Sequence, residues 1–332
     1  MAIKNVVSAL NELDSVSAVL TAITTSTRIS PYVKEGIRMQ SKNLNLGDSA
    51  YDFRIAVDHT GGNITEGGIG FYMYYADNAS NWQHNVFTIT APDGTIMLRL
   101  YKAINSTIHT WYYSSTTGTE ASTGASVPID GLHRWDILWK IAADGTGYFQ
   151  VYVDGVLNFS VSGQNNGRGS SIGYFTGRSE NGYSIDRVYS AIVCADEDTR
   201  DMRVVQQVPT GTGALNEWTG SYLDVDETSS DAGDTLNVAT TGKISLMTFP
   251  AIPAGPASDT NVLGVFLRSA GWGHTDGIDA EVRSGGTNYN VGETIAAGVT
   301  TKKAIKEILT DPDTTTAWTI AGIDAAQFGY AT

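Results

Sequence analysis

Residues 148–157 read Tyr-Phe-Gln-Val-Tyr-Val-Asp-Gly-Val-Leu. Side chains alternate along an extended chain, so Phe149, Val151 and Val153 share one face and Tyr148, Gln150 and Tyr152 the other. Asp154-Gly155 supplies two residues that tolerate positive φ, and the run therefore predicts a tight antiparallel hairpin. A hairpin with one apolar face must bury that face against a second layer. The same grammar recurs upstream. Pro92-Asp93-Gly94 separates two alternating runs, and Asp144-Gly145 follows residues 133–141, where Trp135, Ile137, Trp139 and Ile141 share one face.

Composition extends this pattern to the whole chain. Glycine contributes 36 of 332 residues and aromatics 10%, with Thr and Ser throughout, which favours short strands joined by turns. About ten such strands between residues 15 and 199 predict a sandwich of two antiparallel sheets. After the polar break Asp196-Glu197-Asp198, residues 200–332 read as a second, smaller β-sandwich. Its expected strands are 203–208, 243–249, 261–269, 277–284 and 301–309, followed by a short helix capped by Thr319 and a last strand at 328–332. Pro250, Pro253 and Pro256 mark a loop, and Gly285-Gly286 a hairpin turn. At the start, Ile3, Val6, Val7, Leu10 and Leu13 fall at helical spacing, so residues 1–14 are expected to carry a short amphipathic helix. Too short to be stable alone, it either packs on its own domain or anchors to a neighbouring subunit, a trimer being one form of such an assembly.

The formal net charge is −14. An acidic chain without a Lys/Arg run is a poor partner for phosphate, which excludes nucleic acid. Cys194 is the single cysteine and lies in an apolar run, so it reads as a core thiol. No stretch approaches the roughly 18–20 apolar residues of a membrane span. Residues 1–15 hold no unbroken apolar run of a secretory leader, so synthesis in the host cytoplasm is expected.

Two runs resemble known families. The Asp154-Gly155 hairpin, preceded by a strand carrying Trp135, resembles that of concanavalin A-like and laminin G-like sandwiches. In the second segment, Glu217-Trp218-Thr219, Val225-Asp226-Glu227, Val282-Arg283-Ser284-Gly285-Gly286, Asp311-Pro312-Asp313-Thr314, Ala317-Trp318-Thr319 and Gln327-Phe328-Gly329 follow one another. This order is similar to a C-terminal module of tailed-phage structural proteins, where it follows a concanavalin A-like domain. The resemblance covers residues 30–332 and implies a virion protein assembled with other virion proteins as a homo-oligomer.

Candidate chemistry is sparse. No Glu-x-Asp-x-x-Glu run places three carboxylates on one strand face, as a glycanase of this fold would. His59, His84, His109, His133 and His274 form no metal-spaced pair, and no nucleophile elbow or phosphate loop occurs. Asp224, Asp226 and Glu227 are candidate calcium ligands, but they lack EF-hand spacing and a solvated acidic loop is the preferred reading. Trp82, in a polar loop, and Trp111 with Tyr112 are candidate platforms for a host surface glycan, since sugar C–H faces pack on aromatic rings. These readings together predict a non-enzymatic structural component of a phage virion, a tail or neck fibre or a capsid decoration. The alternatives are a carbohydrate-binding module and a polysaccharide depolymerase.

Overall fold

The computed structural model describes residues 3–7, 15–16, 20–23, 36–40, 53–58, 62, 64–77, 84–102, 108–113, 120–122, 131–164, 171–177, 185–226, 235–253, 262–271, 276–298 and 302–332. The chain forms two compact units, Met1–Gln206 and Gln207–Thr332. Among the described residues it is all-β apart from one short α-helix and a single 3-10 turn.

The first unit begins with β1 (Ile3–Val7), β2 (Ser15–Val16), β3 (Leu20–Ile23), β4 (Gly36–Gln40) and β5 (Phe53–Ala56). It continues through β6 (Glu66–Asp77), β7 (His84–Thr90), β8 (Ile96–Lys102), β9 (Ile108–Tyr113) and β10 (Glu120–Ser122). The last strands are β11 (Gly131–Lys140), β12 (Gly147–Val153), β13 (Val156–Gln164), β14 (Tyr174–Gly177) and β15 (Ile185–Ala195). Sheet A has the order β13-β12-β11-β6-β15-β4-β3, with β1 also pairing β15, and sheet B the order β10-β9-β8-β7-β14-β5-β2. Phe71, Phe87, Trp135, Trp139, Phe175 and Tyr189 are fully buried in one cluster between them. Their rings meet at angles, as in Phe71–Phe87 at 5.6 Å and Phe87–Trp135 at 6.0 Å, the geometry that ring quadrupoles favour. Cys194 is buried in the same cluster. The β12–β13 hairpin turns as its sequence predicts, with φ of 50° at Asp154 and 76° at Gly155. The Asp154 carboxylate also accepts the Arg134 backbone N–H at 2.9 Å and meets His133 Nδ1 at 2.6 Å, tying the turn to β11.

The helix expected within residues 1–14 is corrected by the structure: Ile3–Val7 is a strand, antiparallel to β15, with Val6 opposite Val193. The physical reason lies in β15. Its first half, Asp186–Tyr189, pairs β4, whereas Ile192–Ala195 lies beyond that partner and takes β1. A few residues gain more from a waiting sheet edge than from an isolated helical turn.

Part of the face of sheet A turned away from the core is covered by the chain that follows β15. Past β15, Thr199 is fully buried; its hydroxyl donates to Asp136 Oδ1 at 3.0 Å and its carbonyl accepts from Arg134 Nη2 at 3.1 Å. Arg134 and Asp136 form a bidentate pair, Nη2–Oδ1 2.7 Å and Nε–Oδ2 3.1 Å. Arg200 lies 4.3 Å over the Tyr152 ring, and Val204 packs with Tyr72 and Tyr74. These contacts keep residues 200–206 with the first unit, seven residues beyond the expected boundary. Glycines of β6 make room for the segment. A Cβ on Gly67 would stand 2.3 Å from the Ala195 carbonyl oxygen, and one on Gly70 would meet Arg134 Nη2 and Asp136 Oδ1.

The second unit comprises β16 (Gly211–Asn216), β17 (Ile244–Thr248), β18 (Val265–Gly271), β19 (Ile278–Ser284), β20 (Thr287–Ile295), β21 (Lys302–Ile308), α1 (Ile320–Ala325) and β22 (Gln327–Ala331). A five-stranded sheet, β16-β17-β22-β19-β20, accompanies the pair β18-β21. Trp318, Phe328, Val282 and Ile308 form its core, and the Trp318 indole N–H donates to the Ile308 carbonyl at 3.0 Å. Thr319 caps α1 by accepting from Gly322 N at 2.9 Å. Gly285 and Gly286 hold positive φ at the β19–β20 turn. The expected strand at 203–208 is irregular backbone.

Candidate functional site

On the outer face of sheet A, Asp136 is paired with Arg134 and Thr199. Sheet B carries a different arrangement. One transverse row crosses all seven of its strands in unbroken register: Ser122, Trp111, Arg99, Thr88, Thr176, Arg54 and Ser15. At roughly 4.8 Å between neighbouring strands the row spans about 29 Å. Phe53, Ile55, Phe87, Ile89, Leu98, Leu100 and Phe175 are core residues, so strand alternation turns Arg54, Thr88, Arg99 and Thr176 away from the core.

The row is polar and carries no carboxylate. Arg54 and Arg99 are half-buried, whereas Thr88 and Thr176 between them are buried. The two threonine hydroxyls hydrogen-bond to each other, and Thr176 Oγ1 also reaches the Thr88 carbonyl at 3.4 Å. The Arg54 guanidinium lies 4.3 Å over the Tyr174 ring, a contact that fixes its plane. Two arginines and no acidic residue stand in this row of a chain of net charge −14. Guanidinium groups are suited to carboxylates, which they grip in a two-pronged fork. In the next row Asn85, Tyr101 and His109 stand in register, two residues along from Thr88's neighbour, Arg99 and Trp111.

The residues singled out from sequence are dispersed. Trp111 joins the row beside Arg99, whereas Tyr112 pairs Leu98, a core residue, so alternation separates the two. Trp82 and Glu227 lie outside the described residues. The Asp224 carboxylate accepts the Ser221 N–H at 2.6 Å and closes a capping box around the single turn Tyr222–Asp224. Among the described residues no group of three or more His, Cys, Asp or Glu is placed to hold a metal ion. Sequence reading missed Arg54 and Arg99. The available signal was a lone arginine in mid-strand between apolar neighbours, and it acquires meaning only when strands distant in sequence are aligned.

No family model and no curated protein matches the chain. Among solved structures, it is similar to an endo-β-1,4-glucuronan lyase from the fungus Trichoderma reesei, at 16% identity and a TM-score of 0.46, covering 60% of this chain and 100% of that one. It is also similar to the alginate lyase vAL-1 from Chlorella virus, at 13% identity and a TM-score of 0.40, covering 55% and 93%. A carbohydrate esterase from the Shiga toxin-encoding bacteriophage phi24B is a further match, at 9% identity and a TM-score of 0.36, covering 54% and 88%. Lyases and an esterase stand where fibre or decoration proteins were expected, and the reading of this chain as a non-enzymatic virion component is corrected accordingly. That reading rested on a shared hairpin and module order, and a fold hosts many functions. At these identities and scores the likenesses transfer neither activity nor substrate to this chain.

Proposed function

We propose that the protein is a depolymerase of anionic polysaccharide, borne on a phage particle, that holds its glycan across the outer face of sheet B. The observation that carries this reading is the unbroken row with Arg54 and Arg99 on an otherwise acidic chain. The virion setting rests on the sequence likeness of the second unit to a tailed-phage module.

A carboxylate gripped by a guanidinium withdraws electrons from the adjacent C–H, making its proton easier to remove. A base takes that proton, a C=C bond forms, and the C–O bond to the next sugar breaks, its oxygen leaving with a proton from an acid. Tyr101 and His109 stand in backbone register on β8 and β9, and the two proton transfers are proposed for titratable residues of these strands. Hydrolysis by a carboxylate triad does not fit, because the chain lacks that run.

The test is incubation with capsular and uronate polysaccharides, reading new reducing ends together with absorbance of the unsaturated product. The expected result is release by the native protein, with His109→Ala and Tyr101→Phe each lowering the rate by about 10²-fold or more. Absence of both products across anionic polymers, with the protein folded, overturns the reading. Antibody labelling of particles in the electron microscope tests the virion setting.

A further inference from the structure

We infer that the outer edge of β13 is a self-association site, where a second copy of this chain docks by pairing its own β13 antiparallel about a two-fold axis. Among the described residues β13 ends sheet A and pairs with β12 alone. A strand paired on one side turns every second N–H and C=O to its other edge, ready for a further strand. The strand is open to solvent: Val156 is 69% exposed and Leu157 48%, and Ser160 and Gly163 are exposed beyond them. Edge strands are commonly guarded by charge, proline or brevity, whereas β13 runs for nine residues without a charge or a proline.

Charge selects a second copy as the occupant. Copies of a chain with net charge −14 repel one another. Strands β12 and β13 hold no Asp, Glu, Lys or Arg between them, so two copies meet along this edge without opposing like charges. The edge is also self-complementary. Ser160 is the midpoint of β13, so at full overlap the two Ser160 residues stand opposite each other. Leu157 of each copy then lies opposite Gly163 of the other, which has no side chain to exclude it. Strand β16, at the edge of the second unit's sheet, is uncharged too, but it has six residues and bears none of the exposed large apolar side chains.

Light scattering on the full chain across a concentration series tests this. The native protein is expected to form dimers. Ser160→Lys sets two like charges about 5 Å apart across the axis and is expected to raise the dissociation constant at least about tenfold, halving the measured mass. Ser160 is exposed, so the variant keeps the native circular dichroism spectrum and unfolding midpoint. Mixing Ser160→Lys with Ser160→Asp restores the dimer, which a folding defect would not do. Thr212→Lys, the same change on the β16 edge, leaves the native mass in place. A native protein that stays monomeric at its highest soluble concentration, a trimer, or a mass that Ser160→Lys leaves unchanged overturns the inference.

Discussion

A methyl group at Gly67 would stand 2.3 Å from one backbone oxygen and 3.1 Å from Asp196 Cα, and neither can move without shifting the end of β15. Gly67→Ala is therefore expected to destabilise the first unit by about 1–3 kcal/mol, the usual cost of overpacking, as read by urea denaturation. Asp136 is 2% exposed and Arg134 11%. Arg134→Met strands the buried Asp136 carboxylate beside Thr199 and is expected to cost about 3–5 kcal/mol, while the double variant Arg134→Met/Asp136→Leu recovers much of the loss. Such residues differ in how far they can be read in advance. Asp154-Gly155 announces its turn because positive φ is a local demand. Gly67 and Gly68 read as loop by the same logic, yet both lie in β6; they are glycine because residues 195–199 pass over them, and nothing local in the sequence says so.

At the scale of elements, alternation was the dependable guide. The face shared by Trp135, Ile137 and Trp139 and the face shared by Phe149, Val151 and Val153 are the buried ones. Helical spacing misled over Ile3–Val7, because β15 offers these residues a strand partner that is invisible locally, and residues 8–13 lie outside the described residues. Strand β19 carries a further consequence of position. Glu281 is buried, and burial, with the Asp279 charge second, raises its carboxyl above the ordinary glutamate value of 4.5. The folded state then holds the proton more tightly than the unfolded chain, so this group's contribution to stability is present below pH 4.5 and is lost as pH rises through the folded value. Glu281→Gln is expected to flatten that loss and to leave the second unit more stable at pH 7, as measured by denaturation across the pH range.

Two separate cores imply two unfolding events in the intact molecule. Phe175→Ala is expected to lower the first unit's transition by about 3–5 kcal/mol and leave the other in place, with Phe328→Ala doing the reverse. Coincident shifts of both transitions in either variant would contradict this independence. The sequence by itself determined the all-β class, the tight hairpins, the cap at Thr319 and the residues that turn inward, because each follows from local backbone preference and a period of two. Only the tertiary structure decided which residues share one row of sheet B. Arg54, Thr88, Arg99 and Thr176 are scattered over 122 positions and become one row through strand register. Register is set by which edges pair across the sandwich, and no run of neighbouring residues contains that information.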